Sequence, residues 1–105
     1  MDVIKLKDFL KELGGIDREL LAQAVIIGNQ QLKDGNDIYL KDIYQRIAEE
    51  NNLSAKDAEH RIGSALELMG YRGNLPKVEE TFGRRMGRIR VTPKQFVKVM
   101  AMKFG

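Results

Sequence analysis

The sequence has 105 residues, of which 43% are hydrophobic, with no cysteine and a single histidine. This length fits one domain, and the apolar content suffices for a core without disulfide bonds or a structural metal. The absence of cysteine excludes a disulfide scaffold and Cys-ligated zinc, and one histidine excludes paired-histidine metal motifs. No apolar run approaches the roughly 18–20 residues that span a bilayer. We therefore expect a soluble cytoplasmic protein with no cofactor and no membrane partner.

The net charge of +3 is unevenly distributed along the chain. Residues 1–71 carry 9 basic and 13 acidic side chains, a net charge of −4, whereas residues 72–105 carry 9 basic and 2 acidic side chains, a net charge of +7. A change of sign within one small domain favours an anionic partner that meets the C-terminal third. The alternative is a solvated basic tail with no specific partner.

Apolar residues at helical spacing predict two helices in the N-terminal third. The first ends at Gly14-Gly15, and the second begins at Asp17, whose carboxylate we expect to cap it. The turn sequence Asp34-Gly35-Asn36 separates this pair from a third helix, which we expect from about Asp37 to Asn51.

The rest of the chain predicts three more helices. Ser54 and Asp57 form a variant of the capping box at the start of a fourth helix, whose core face we predict to be Ala58, Ile62, Ala65, Leu66 and Met69. A short helix is predicted over Pro76–Phe82, followed by a Gly-rich basic loop over residues 83–91. Thr92 and Pro93 begin the last helix. The sequence therefore predicts an all-α fold, a compact bundle of about six helices in a single domain over residues 1–105.

The third and fourth helices have the outline of a helix-turn-helix over residues 37–70 or so. Ala48 is the small residue expected where the two helices cross, and Leu53 is the apolar residue expected to point inward from the turn. The fourth helix, over about residues 55–70, would be the recognition helix. Any corner between two packed helices needs the same features, so the outline alone leaves DNA binding open.

The helix pair and its flanks resemble the C-terminal effector domains of stage-zero sporulation response regulators, a family of transcription factors. The shared positions are Tyr44, Ile47, Ala48, Asn52, Glu59, Ile62, Ala65, Glu67, Arg72, Gly73 and Asn74, and the likeness extends from Gly15-Ile16 to Lys103. The resemblance implies a six-helix domain that binds a short box in double-stranded DNA, as a tandem pair or homodimer, and contacts the RNA polymerase sigma subunit. It covers the effector domain and no receiver domain, so control by phosphorylation is not implied.

The predicted recognition helix departs from the family pattern. The resemblance implies arginines at positions 60 and 63 and a histidine at position 64, where this chain has His60, Gly63 and Ser64. Arg61 is one residue from a lost arginine, and one residue rotates a side chain by about 100° around a helix. Losing two arginines that pair with guanine should change the preferred DNA box, because each such pair is worth roughly 1–3 kcal/mol of discrimination.

Candidate DNA-binding residues lie in two parts of the chain. On the recognition helix they are Lys56, Glu59, His60, Arg61, Gly63 and Ser64. In the basic segment, defined as residues 72–98, they are Arg72, Arg84, Arg85, Arg88, Arg90 and Lys94. The competing hypothesis is a protein-interaction module that kept the fold, lost its base contacts and binds another regulator or the sigma subunit. An enzyme is not expected, because the sequence lacks a phosphate-binding loop and a convergent pair of carboxylates.

Overall fold

The computed structural model describes residues 1–83 and 90–105, and these ranges contain six helices. They are α1 (Val3–Glu12), α2 (Arg18–Lys33), α3 (Leu40–Asn51), α4 (Ala55–Arg72), α5 (Leu75–Phe82) and α6 (Pro93–Phe104). The described ranges contain no strand, and the predicted all-α bundle is confirmed. Within them, no helix combines the length and the apolar character that crossing a bilayer requires. The predicted Gly-rich loop lies mostly on residues 84–89, outside the described ranges.

Helix α2 lies at the centre of the bundle and packs against α1, α3, α4 and α6. Gly28 permits the close approach of α6, because a methyl group at this position would collide with Cγ1 of Val97. Every helix except α5 supplies at least one large side chain that is completely buried. The predicted core face of α4 is confirmed, since all five of its members are buried.

Helix α3 begins at Leu40, three residues later than the sequence predicts. The intervening segment is held in an extended form by the side chain of Gln31, which is itself buried. The Tyr39 amide donates to Gln31 Oε1 (3.0 Å), and Gln31 Nε2 donates to the Tyr39 carbonyl (3.2 Å). Asp37 Oδ1 accepts from the amide of Ile38 (2.8 Å). These bonds satisfy the backbone without a helical turn, which explains the later start.

Side-chain caps fix the starts of the last two helices. Asn74 Oδ1 accepts from the amide of Lys77 (3.4 Å) at α5, and Thr92 Oγ1 accepts from the amide of Gln95 (3.2 Å) at α6. The predicted cap at Thr92 is confirmed, and Pro93 occupies the first turn as expected. The predicted short helix over residues 76–82 is also confirmed, beginning one residue earlier.

The loop between α1 and α2 packs against the C-terminal end of α4. The amide of Asn74 donates to the carbonyl of Leu13 (2.9 Å). A Cβ atom on Gly73 would lie 2.5 Å from that same carbonyl oxygen, and one on Gly14 would lie 3.0 Å from Cα of Gly73. Gly14 also has a φ of 78°, which favours glycine. The two backbones therefore meet at a point where side chains have no room.

Candidate nucleic-acid interface

Helices α3 and α4 are joined by a three-residue turn of defined geometry. Asn52 ends α3 in the left-handed conformation (φ 55°, ψ 44°), which asparagine tolerates better than most residues. The amide of Leu53 donates to the carbonyl of Ala48 (2.9 Å), and Ser54 Oγ accepts from the amide of Asp57 (3.0 Å). Ala48 is only 5% exposed, as expected for a small residue at the crossing point. This geometry is consistent with the predicted helix-turn-helix, in which α4 would be the recognition helix.

The face of α4 opposite the core is not covered by another element in the described part of the chain. Lys56, His60 and Glu67 are exposed on it, and Gly63 and Ser64 are half-buried. Tyr71 extends this face toward the C-terminal end and is 62% exposed. Tyr71 is not among the DNA-binding residues predicted from the sequence. A rotation of about 100° per residue nevertheless places it on the same face as Lys56, His60, Ser64 and Glu67.

Arg61 does not lie on the exposed face, because its guanidinium turns toward the start of α2. Arg61 Nη2 donates to Asp17 Oδ1 at 2.7 Å, and the side chains are 44% and 28% exposed, respectively. The hydrogen bond that Arg61 donates to Asp17, together with the charge of the carboxylate, raises the pKa of Arg61 above its ordinary value. The predicted capping role of Asp17 is wrong. Asp17 occupies the N-cap position in the left-handed conformation (φ 47°), and its carboxylate bonds Arg61 instead of the helix amides.

Glu59 lies on the opposite flank of α4, beside a groove where three helices begin. The groove is lined by residues of the first turns of α3, α4 and α6 and by two residues of the second turns, among them Lys41, Tyr44, Lys56, Glu59 and Pro93. Burial raises the pKa of the Tyr44 hydroxyl, and the nearby Glu59 carboxylate raises this pKa further. The first turns of helices carry partial positive charge, so this side of the domain favours anions. Lys41 and Lys56 in the lining and Lys94 beside it add positive charge, which the Glu59 carboxylate and the Asp37 partner of Lys94 offset in part.

The basic segment reaches both ends of α4. Arg72 is exposed in the last turn of α4, about 24 Å along the helix from Lys56 by the rise per residue. Lys94 is exposed in the first turn of α6, where its Nζ lies 3.1 Å from Asp37 Oδ2, and Arg90 is exposed just before that helix. Arg84, Arg85 and Arg88 lie outside the described residues. The structure thus brings Lys56, Glu59 and the start of α6 together, and leaves Arg72 at the far end of α4.

The described side chains show no cluster of three or more His, Asp or Glu residues that could hold a metal ion. His60 is exposed to solvent on α4 and belongs to no such cluster among the described residues.

Comparison with known proteins gives one match. No curated protein and no solved structure was found to match the chain. The family model described as sporulation initiation factor Spo0A C terminal matches residues 16–104, a range that includes both helices of the helix-turn-helix and the whole basic segment. Helix α1 alone among the described helices lies before the matched range. The chain therefore belongs to the family of Spo0A C-terminal domains.

Proposed function

We propose that this domain is a transcriptional regulator that binds double-stranded DNA with sequence preference, placing α4 in the major groove and holding phosphates with the basic segment. The family is one of DNA-binding effector domains of sporulation regulators. The observation that carries the finer proposal is the groove where α3, α4 and α6 begin. It lies beside the uncovered face of α4, so cations and helix N-termini flank the surface that would meet DNA.

The dimensions of α4 suit the major groove. The major groove of B-DNA is about 12 Å wide and admits one helix with its side chains. The exposed face of α4 offers Lys56, His60 and Ser64 as hydrogen-bond donors toward base edges, while Glu67 would accept from a cytosine amino group or repel phosphate. This set differs from the arginines that the resemblance implies. We therefore propose a preferred DNA box different from that of the better-known relatives.

Phosphate contacts would come from both ends of α4. Arg72 at one end, with Arg90 and Lys94 at the start of α6, would be joined by Arg84, Arg85 and Arg88 of the same segment. Four to five of these contacts, those of Arg84, Arg85, Arg88 and Arg90 with Lys94, predict that log K falls with log salt with a slope of about −4. A regulator of this kind works on the chromosome, so the proposal includes a cytoplasmic location.

The second candidate function is a protein-interaction module that binds another regulator or the sigma subunit, alone or as a homodimer. Two observations favour it. Glu59 and Glu67 place carboxylates on or beside the exposed face of α4, and Arg61, the only arginine in the first two-thirds of that helix, is paired with Asp17. On this proposal the chain kept the helix-turn-helix and lost direct contacts with bases.

Fluorescence anisotropy with three labelled duplexes separates the two functions. The duplexes are a sporulation-type box, a random sequence and an A·T-rich sequence, each measured at about 50 and 200 mM salt. Salt-dependent binding with a tenfold or greater preference for one duplex supports the regulator. Salt-dependent binding with equal affinity for all three duplexes would mean that the domain contacts phosphates but does not distinguish base sequences. The absence of binding at 50 mM contradicts DNA binding and favours the interaction module.

A charge-reversal pair tests the basic segment. We expect that changing Arg84, Arg85, Arg88 and Arg90 to Glu abolishes binding to all three duplexes to the same extent, because phosphate contacts carry no sequence information. The matched control reverses Lys5, Lys7, Lys11 and Lys33, which lie on α1 and at the end of α2 and give the same change of net charge. Equal losses in both variants would show a general effect of charge and would contradict a role for this segment.

A further inference from the structure

The ion pair between Asp17 and Arg61 joins the recognition helix to a residue 44 positions earlier in the chain. The distance from Arg61 Nη2 to Asp17 Oδ1 is 2.7 Å, the shortest of the ion pairs between described residues that the structure shows. Asp17 adopts the left-handed conformation (φ 47°), which aspartate tolerates better than most residues, and its carboxylate makes no bond to the amides of α2. The carboxylate is therefore committed to Arg61.

Arg61 occupies the flank of α4 between its buried and exposed faces. It follows His60, which is exposed toward the proposed DNA, and precedes Ile62, which is buried. An arginine at the edge of a recognition helix lies closer to the walls of the major groove than to its floor, so the group within its reach is a phosphate. Asp17 and a phosphate would bind the same donors, since a guanidinium pairs with either anion in the same planar geometry.

We propose that Asp17 lowers the affinity for DNA by competing with a DNA phosphate for the guanidinium of Arg61. The inference rests on the proposed DNA-binding function and gives Asp17 a role other than the helix cap that its position in the sequence predicts. Without DNA, Asp17 neutralises Arg61 and holds it against the start of α2. When DNA binds, Arg61 either stays with Asp17 and contributes nothing, or leaves an unpaired carboxylate near the phosphates. Both outcomes weaken binding relative to a domain without the carboxylate.

The variant Asp17→Asn tests this competition without disturbing the backbone. Asparagine tolerates the left-handed conformation and keeps the side-chain shape, but it carries no charge. With the random duplex at about 50 mM salt, we expect binding at least threefold tighter than that of the wild type. One added phosphate contact makes the salt slope steeper by about 0.9, so the gain should shrink by about 3.5-fold between 50 and 200 mM.

A double-mutant cycle shows whether the gain acts through Arg61. Asp17→Asn should raise the affinity less in the Arg61→Gln background than in the wild type, because the carboxylate then has no guanidinium to hold and only its repulsion of the phosphates is removed. Asp34→Asn is the control for charge. It removes the same charge at the other end of α2, where the carboxylate accepts from Gln30, and we expect no change in salt slope. Thermal melts verify that every variant is folded.

Each outcome of the cycle decides the proposal. A gain of the same size in the Arg61→Gln background as in the wild type, or a gain that Asp34→Asn reproduces, overturns it in favour of a general charge effect. If the wild type binds DNA and Asp17→Asn binds it with the same affinity, the proposed competition is also overturned, while the DNA-binding function stands. If neither the wild type nor Asp17→Asn binds any duplex, both the function and the inference are contradicted. Binding by Asp17→Asn alone supports the competition in its strongest form.

Discussion

Gly28 of α2 and Val97 of α6 are packed so closely that no methyl group fits between them. An alanine at position 28 would gain about 1 kcal/mol of helix propensity, but overpacking a core costs about 1–3 kcal/mol. Because Val97 is buried and β-branched, it cannot turn aside. We expect Gly28→Ala to lower the free energy of unfolding by about 1 kcal/mol in urea denaturation. Adding Val97→Ala should make the Gly28→Ala change favourable, and a Gly28→Ala single variant more stable than the wild type would contradict the packing argument.

Gly63 offers the opposite case, because a Cβ atom at this position would meet nothing within 4 Å. We expect Gly63→Ala to raise the free energy of unfolding by about 1 kcal/mol through helix propensity alone. The same variant tests whether DNA needs the glycine for close approach to the α4 backbone. Unchanged DNA affinity, measured by anisotropy, would show that the glycine lowers the stability of the helix without contributing to DNA binding. A tenfold loss would identify it as part of the interface.

Gly73 lies where the end of α4 meets the loop after α1. Its φ of −71° suits any residue, so the need for glycine comes from space alone. We expect Gly73→Ala to cost about 1–3 kcal/mol of stability, because the new methyl group would press on the carbonyl oxygens of Leu13 and Met69. Gly35→Ala is a useful comparison. A Cβ atom at Gly35 would meet nothing within 4 Å, so its loss of stability would come from the φ of 84° alone. A Gly73→Ala variant as stable as the wild type would show that the loop moves away freely.

The hydroxyl of Ser54 fixes the start of the recognition helix. We expect Ser54→Ala to lower the free energy of unfolding by about 1 kcal/mol, because the amide of Asp57 loses its acceptor. Ser54→Asp keeps an acceptor at the same position and should retain the stability. Comparison of the two variants by urea denaturation separates the capping bond from any other effect of the side chain.

Asp37 gives the stability a dependence on pH. The amide of Ile38 and, secondarily, the ammonium group of Lys94 lower the pKa of this carboxyl below its ordinary 3.8. A carboxyl with a lower pKa in the folded state stabilises the fold above its unfolded pKa, and this contribution is lost as the pH falls through the folded pKa. We expect the wild type to be more stable than Asp37→Asn at about pH 7, with the difference shrinking as the pH falls below 3.8 and vanishing below the folded pKa. Lys94→Gln, which leaves the Ile38 amide in place, should reduce the difference only in part.

The sequence predicts the features of this domain that depend on near neighbours. The caps at Ser54 and Thr92 and the core face of α4 follow from spacings of three, four and seven residues, and the structure confirms them. The start of α3 and the role of Asp17 were predicted wrongly, because each depends on a residue in another helix, 8 and 44 positions away, respectively. Gln31 holds Tyr39 extended, and Arg61 takes the carboxylate that a local rule assigns to α2. Periodicity cannot reveal such pairs, since nothing in the intervening sequence marks them.

The hydrogen bond from the Asn74 amide to the Leu13 carbonyl makes one backbone proton a monitor of the recognition helix. Leu13 directly follows α1, the helix that lies before the matched range, and is completely buried. Any tilt of α4 that DNA imposes must stretch this bond, and solvent would then exchange the amide proton faster. Exchange at Asn74 that is equally slow with and without DNA would identify a rigid domain that docks without rearrangement. Faster exchange on DNA would show that the contact between the loop after α1 and the end of α4 opens when DNA binds.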